Sequence, residues 1–187
     1  DSVASRGLGD VYKRQEVEIL KDGEVGEITV AGPTATDTYF RRDAATRIAK
    51  IRETQADGSE RIVHRMGDVG WFDGDGRLWF CGRKTQRVET ADGPLYTEQV
   101  EPVFNTHPQV RRTALVGIGE AGRQRPALCY ELQPGVSAEP ARIEAELRAI
   151  AARHPHTARI AAYLPHPGFP VDILSLIHIS EPTRRYA

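Results

Sequence analysis

No apolar run in this 187-residue chain approaches the length of a membrane-spanning helix, and no signal-peptide pattern is evident. An excess of charge of one sign is also missing, with 25 basic residues against 26 acidic ones. That balance removes the usual reason to invoke nucleic acid or an anionic membrane surface as a partner. Cysteine is scarce. Cys81 and Cys129 both lie in apolar, strand-like runs, which suits buried free thiols in a reducing compartment better than a disulfide. These absences lead to the expectation of a soluble, cytoplasmic protein. The length allows one or two domains with a sizeable core.

The two ends match neither flanking pattern. Residues 1–15 and 174–187 resemble translated adapter sequence, so the reading sets them aside as non-native tails; Ser175 and Ser180 fall there and earn no catalytic role. Residues 16–20 and 26–31 are apolar or alternating around Lys21-Asp22-Gly23, which predicts a hairpin. Residues 49–53 and 61–64 predict two strands around a polar loop with an Asp57-Gly58 turn, and His64 and Arg65 are expected at a strand edge. Further on, the pattern becomes a compact alternation. A short strand starts at Val88, a turn falls at Asp92-Gly93, and a helix opens at Tyr96 with Thr97 as its N-cap. Strands are expected over 110–117 and 127–132, and Arg111 and Arg112 are expected beside the first as solvated charge. A helix covers 138–153, with Ile143, Leu147 and Ile150 on one face, and a last strand covers 160–164.

Residues 65–83, RMGDVGWFDGDGRLWFCGR, carry the chemistry. Asp68 ends a short apolar stretch, the turn Asp73-Gly74-Asp75-Gly76 follows, and an apolar strand then runs into Gly82-Arg83. A carboxylate such as Asp68 can accept hydrogen bonds from both hydroxyls of a ribose, and the Arg83 fork can reach the same sugar or a phosphate. Taken by itself, the hairpin also admits a purely structural reading, with turn-forming Asp and Gly and a surface Arg83. The order of elements resembles the nucleotide-binding end of the adenylate-forming enzymes. Residues 26–46, GEITVAGPTATDTYFRRDAAT, resemble a structural segment of that family, with Thr38 where the family has Gly. The words MGDVG, GRKTQRVET, GPLYTEQVEPVFNTHPQVRRTALVG and HPGFPVDI resemble the olefin β-lactone synthetases of long-chain hydrocarbon biosynthesis.

The resemblance implies an α+β chain: residues 16–83 as the β-rich end of a large domain, a hinge at Lys84-Thr85, and a small α+β lid over 86–173. It implies ATP, with Mg2+ in the parent enzyme, bound through Asp68 and Arg83. It further implies adenylation of a 3-hydroxy fatty acid and closure of a β-lactone, with possible hydrocarbon-pathway enzymes as partners. Thr85, Glu89 and Asp92 replace the family's hinge Asp, Lys and Gly, with Gly93 one step late, and Gln99-Val100-Glu101 replaces its closing Glu-Val-Glu. This drift suits a second step that needs no CoA. The family's phosphate loop is absent and no lysine follows Lys84, so the chain alone is expected to be inactive, with no catalytic residue assigned. An acyl-CoA ligase fragment and a non-catalytic lid-like interaction module remain as alternatives. No metal site is expected: His154, His156 and His166 lack accompanying Cys or paired carboxylates, and the Asp73–Gly76 turn lacks a calcium loop's distal Glu.

Overall fold

A computed structural model describes the backbone of residues 2–6 and the whole of 19–170. It is an α+β chain that divides after Thr85 into two compact units. Of the strand expected at 16–20, residues 16–18 lie outside the described residues, as does the stretch 171–187, and residues 19–20 form no strand.

The first unit is built on an antiparallel sheet of five strands: β1 (Ser2–Arg6), β2 (Gly26–Ala31), β3 (Lys50–Thr54), β4 (Glu60–Phe72) and β5 (Leu78–Arg83). Ser2–Arg6, within the stretch set aside on sequence grounds, pairs with β2. A short helix, α1 (Asp43–Ala49), leads into β3. The 13-residue β4 organises the rest. His64 pairs with Val30 of β2 on one side and Lys50 of β3 on the other. Val69 likewise lies between Glu27 of β2 and Gly82 of β5. So β3 and β5 occupy successive stretches of the same edge of β4, making two hairpins in tandem. His64 and Arg65 therefore sit in a central strand, contrary to the edge position read from sequence. Ile28, Ala31, Val63, Val69 and Cys81 fill the interior.

The second unit has a two-stranded ribbon, β6 (Val88–Thr90) and β7 (Gly93–Leu95), and a three-stranded sheet in the order β10-β9-β8. Its strands are β8 (Val110–Ile118), β9 (Arg125–Leu132) and β10 (Ala162–Pro165). β8 and β9 form an antiparallel pair, while β10 runs parallel to β9 because α3 (Pro140–Ala151) provides the crossover that a parallel pair needs. Period-two alternation sorts the side chains. Leu115, Leu128 and Tyr130 join Val100 and Phe104 of α2 (Thr97–Phe104), Ile143 and Leu147 of α3, and Tyr163 in the main core. Ala114, Val116, Ala127 and Cys129 make a smaller cluster with Phe169. Burying each such Leu or Ile contributes roughly 1.5–3 kcal/mol.

Two expectations need correction here. Tyr96, not Thr97, is the N-cap of α2, and no side chain caps it; Thr97 is the first helical residue and is buried. Arg111 and Arg112 are not merely solvated: both pair with Glu131 at 2.9 Å, and Glu131 is only 5% exposed. A glutamate inside an apolar strand needs such partners, because an isolated buried charge is strongly disfavoured. Burial raises the Glu131 carboxyl's pKa, but the Phe169 amide and the two arginines outweigh it and hold it below the ordinary value. Ile150 packs against the same core as Ile143 and Leu147, as its spacing predicts, and Ala151 is buried beside them.

Candidate functional site

Asp68 and Arg83 are direct cross-strand partners in the β4–β5 hairpin. A bulge makes them so. From the turn, Phe72 faces Leu78, Trp71 faces Trp79 and Gly70 faces Phe80, but Val69 faces Gly82 because Cys81 is an extra residue on β5. Were Cys81 paired in an unbroken ladder, Asp68 would face Gly82 and Arg83 would be displaced by one position. Gly82 takes φ +115°, a conformation that side chains resist. On the other side of β4, Met66, Gly67 and Asp68 span the interval between Val69↔Glu27 and Arg65↔Thr29, opposite Ile28 alone. Gly67, at φ +72°, permits this second irregularity.

Arg83 Nε stands 3.1 Å from Asp68 Oδ1, and Arg83 Nη1 donates to the Met66 carbonyl at 3.2 Å. The Asp68 side chain is 20% exposed and that of Arg83 57%. Although Nε is close, it is off the line a hydrogen bond requires, and Asp68 Oδ1 is buried without a hydrogen-bond donor. The oxygen has a compensating charge but an unmet acceptor, which costs about 1–3 kcal/mol. The part of the Asp68 side chain that a ligand donor could reach is its 20% exposed remainder.

The hairpin tip holds this register. Asp73 accepts from Trp79 Nε1 and Arg77 Nε, both at 2.8 Å, and from the amides of Arg77 and Asp75. The Trp79 indole and then the Arg77 groups hold the Asp73 carboxyl at about 2, well below the usual carboxylate range. Trp79 also stacks on Trp71 at 5.7 Å. The Asp-Gly turn is thus a structural device, with its first carboxylate fully engaged.

Lys84 and Thr85 begin a single 3-10 turn, Lys84–Gln86. Lys84 Nζ donates to Glu27 Oε2 at 3.0 Å, and Arg65 Nη2 approaches the same oxygen at 2.6 Å. Burial raises the Glu27 carboxyl's pKa, but the hydrogen bonds and charges of Arg65 and Lys84 outweigh it and keep it below the ordinary value. The sequence reading missed Glu27 and took its strand as mainly structural. An acid between Gly26 and the apolar run from Ile28 was the available signal.

His156 and His166 are held in structural contacts. His156 Nε2 lies 3.0 Å from the Gln99 carbonyl, and His166 Nδ1 accepts the Gly168 amide and its ring stacks on Phe169. Among the described residues no group of three His, Cys, Asp or Glu could hold a metal ion.

No family model matches the chain. Individual proteins do. The olefin beta-lactone synthetase of Xanthomonas campestris pv. campestris is 74% identical over 158 residues, and that of Stenotrophomonas maltophilia is 68% identical; each match takes in 84% of this chain. A 2-succinylbenzoate–CoA ligase of Geobacillus kaustophilus is 34% identical over 78% of the chain. The chain spans about 28% of the length of the two synthetases. Among solved structures, an amide bond synthetase from Marinactinospora thermotolerans superposes with a TM-score of 0.73 at 23% identity. That match covers 99% of this chain and 34% of the synthetase. An O-succinylbenzoate coenzyme A synthetase from Bacillus subtilis in complex with AMP gives 0.67 at 22% identity, over 91% of this chain and 31% of its own. These last two establish the fold. By sequence and by fold, the chain belongs to the adenylate-forming family, on the branch of the olefin beta-lactone synthetases.

Proposed function

We propose that the chain is the ribose-binding end and the C-terminal lid of an ATP-dependent acid-activating ligase that turns 3-hydroxy fatty acids into β-lactones. The observation that carries this reading is the opposition of Asp68 and Arg83, with the Asp68 side chain 20% exposed. A ribose diol supplies two donors, and the exposed Arg83 fork supplies charge beside the sugar or its phosphate. Residues 16–83 then belong to the large domain, 84–85 to the hinge and 86–173 to the lid, with 1–15 and 174–187 as non-native tails.

In the parent enzyme a substrate carboxylate oxygen attacks the α-phosphorus of ATP and pyrophosphate leaves. The substrate's own 3-hydroxyl oxygen then attacks the acyl-adenylate carbonyl. The bond to phosphate breaks, AMP departs, and the hydroxyl proton passes to solvent or a base. Mg2+ bound to the nucleotide phosphates would neutralise their charge in the parent enzyme. Identity to two olefin beta-lactone synthetases supports this chemistry, and enzymes of a hydrocarbon pathway are the proposed partners in the cytoplasm. The 34% identity to a CoA ligase supports a second reading, in which a CoA thiol takes the acyl group. Product analysis by mass spectrometry with and without CoA separates them: lactone without CoA supports the first, and thioester the second.

Asp68→Ala tests the site. Charge-assisted hydrogen bonds contribute roughly 1.5–3 kcal/mol each, so the full-length enzyme should show KM for ATP raised about tenfold or more. An unchanged ATP dependence would remove Asp68 from the ribose site.

A further inference from the structure

Glu27 is 6% exposed in a strand that otherwise buries small or apolar groups, and one carboxylate oxygen, Oε2, binds both Arg65 and Lys84. Arg65 reaches Oε2 from the centre of β4 with Nη2 at 2.6 Å and Nε at 3.1 Å. Lys84 reaches the same oxygen from the first residue after β5, 57 positions along the chain. Three elements distant in sequence therefore converge on one acid. Lys84 sits between the Asp68–Arg83 pair and the division of the chain after Thr85.

We propose that Glu27 is a positioning residue for the connector: with Arg65 fixing its carboxylate, it clamps Lys84 to the sheet, so that backbone freedom begins at Thr85 and not at Arg83. The Lys84 ammonium is engaged with Glu27 and only 21% of the side chain is exposed, which makes it an anchor and not a phosphate ligand. Clamping matters because Arg83 is the immediate neighbour of Lys84. A pivot one residue earlier would pull the guanidinium off Asp68 whenever the connector bent. The use of the connector as a hinge rests on the function proposed above; the clamp does not.

The test is hydrogen exchange on the 187-residue chain, comparing Lys84→Met, Glu27→Gln, the double variant and Lys84→Arg. Lys84→Met leaves Glu27 paired with Arg65, so the sheet keeps its buried charge compensated even if Glu27→Gln fails to fold. Amides over 83–87 should exchange about tenfold faster in each single variant, as local opening becomes easier. The double variant should be no faster than the faster single one, and Lys84→Arg should restore protection. Unchanged exchange over 83–87, additive effects of the singles, or a rise spread evenly over the first unit would each overturn the clamp. No nucleotide enters the experiment, so a failed ribose site and a failed clamp give separate results.

Discussion

Asp73 shows how one side chain sets the geometry of others. Its carboxylate is held at about 2 by the Trp79 indole and then by Arg77. A group with a depressed folded-state pKa stabilises the fold above its unfolded value, here 3.8, and loses that contribution as pH falls through the folded value. The hairpin should therefore hold down to about pH 4 and loosen between about 4 and 2. Both tryptophans, Trp71 and Trp79, stack in this hairpin, so their fluorescence reports the change. In Asp73→Asn the acid transition should vanish; a wild-type transition centred at 3.8 would contradict the assignment. At this scale the sequence made some residues legible and hid others. Asp68 and Arg83 stood out because a short motif contains both. Glu27 and Glu131 did not, because an acid in an apolar strand looks like a half-exposed position. Their arginine and lysine partners lie 19 to 57 residues away, a distance that no local pattern spans.

Among the elements, β4 and β5 are joined by more than their ladder. Gly70 packs so closely on β5 that an added Cβ would stand 2.7 Å from the Trp79 carbonyl oxygen, with Ile28 and Leu78 just beyond. Backbone cannot give way as a side-chain tip can, so Gly70→Ala should destabilise the first unit by about 1–3 kcal/mol. Urea unfolding followed by tryptophan emission measures it, and an unchanged midpoint would show that the hairpin relaxes freely. Because Gly70 lies two residues from Asp68, the same substitution should also disturb the Asp68–Arg83 register. Most elements were legible from apolar runs and turn residues. Gly93–Leu95 was not, since three residues beginning with Gly-Pro carry no period. The Cys81 bulge was equally hidden: the sequence shows which residues pair approximately, while the extra residue depends on Gly82 accepting a positive φ. The α2 start was misread because Thr97 has the chemistry of a cap but is packed into the core instead.

For the molecule as a whole, the question is how much of an adenylating reaction these residues could perform. The first unit brings a carboxylate and a guanidinium together, and the second is a compact α+β body whose buried charges, such as Glu131, serve its own packing. Adenylation also needs cationic or amide donors around the transferring phosphates, because the charge that builds there is stabilised mainly by preorganised electrostatics. The sequence has no Gly/Ser/Thr-rich loop ending in Lys, and no lysine after Lys84. Lys84 itself is paired with Glu27. The 187-residue chain should therefore show no ATP–pyrophosphate exchange with a 3-hydroxy fatty acid and only weak ATP binding, while a full-length olefin beta-lactone synthetase assayed beside it should exchange. Exchange by this chain alone would mean that the remaining arginines can replace the missing phosphate-binding groups. In that case the division of labour proposed here, ribose recognition in one unit and catalysis by residues elsewhere in the parent, would be wrong. Exchange that disappeared in Asp68→Ala would then still locate the nucleotide on the β4–β5 hairpin, separating the site from the question of what completes it.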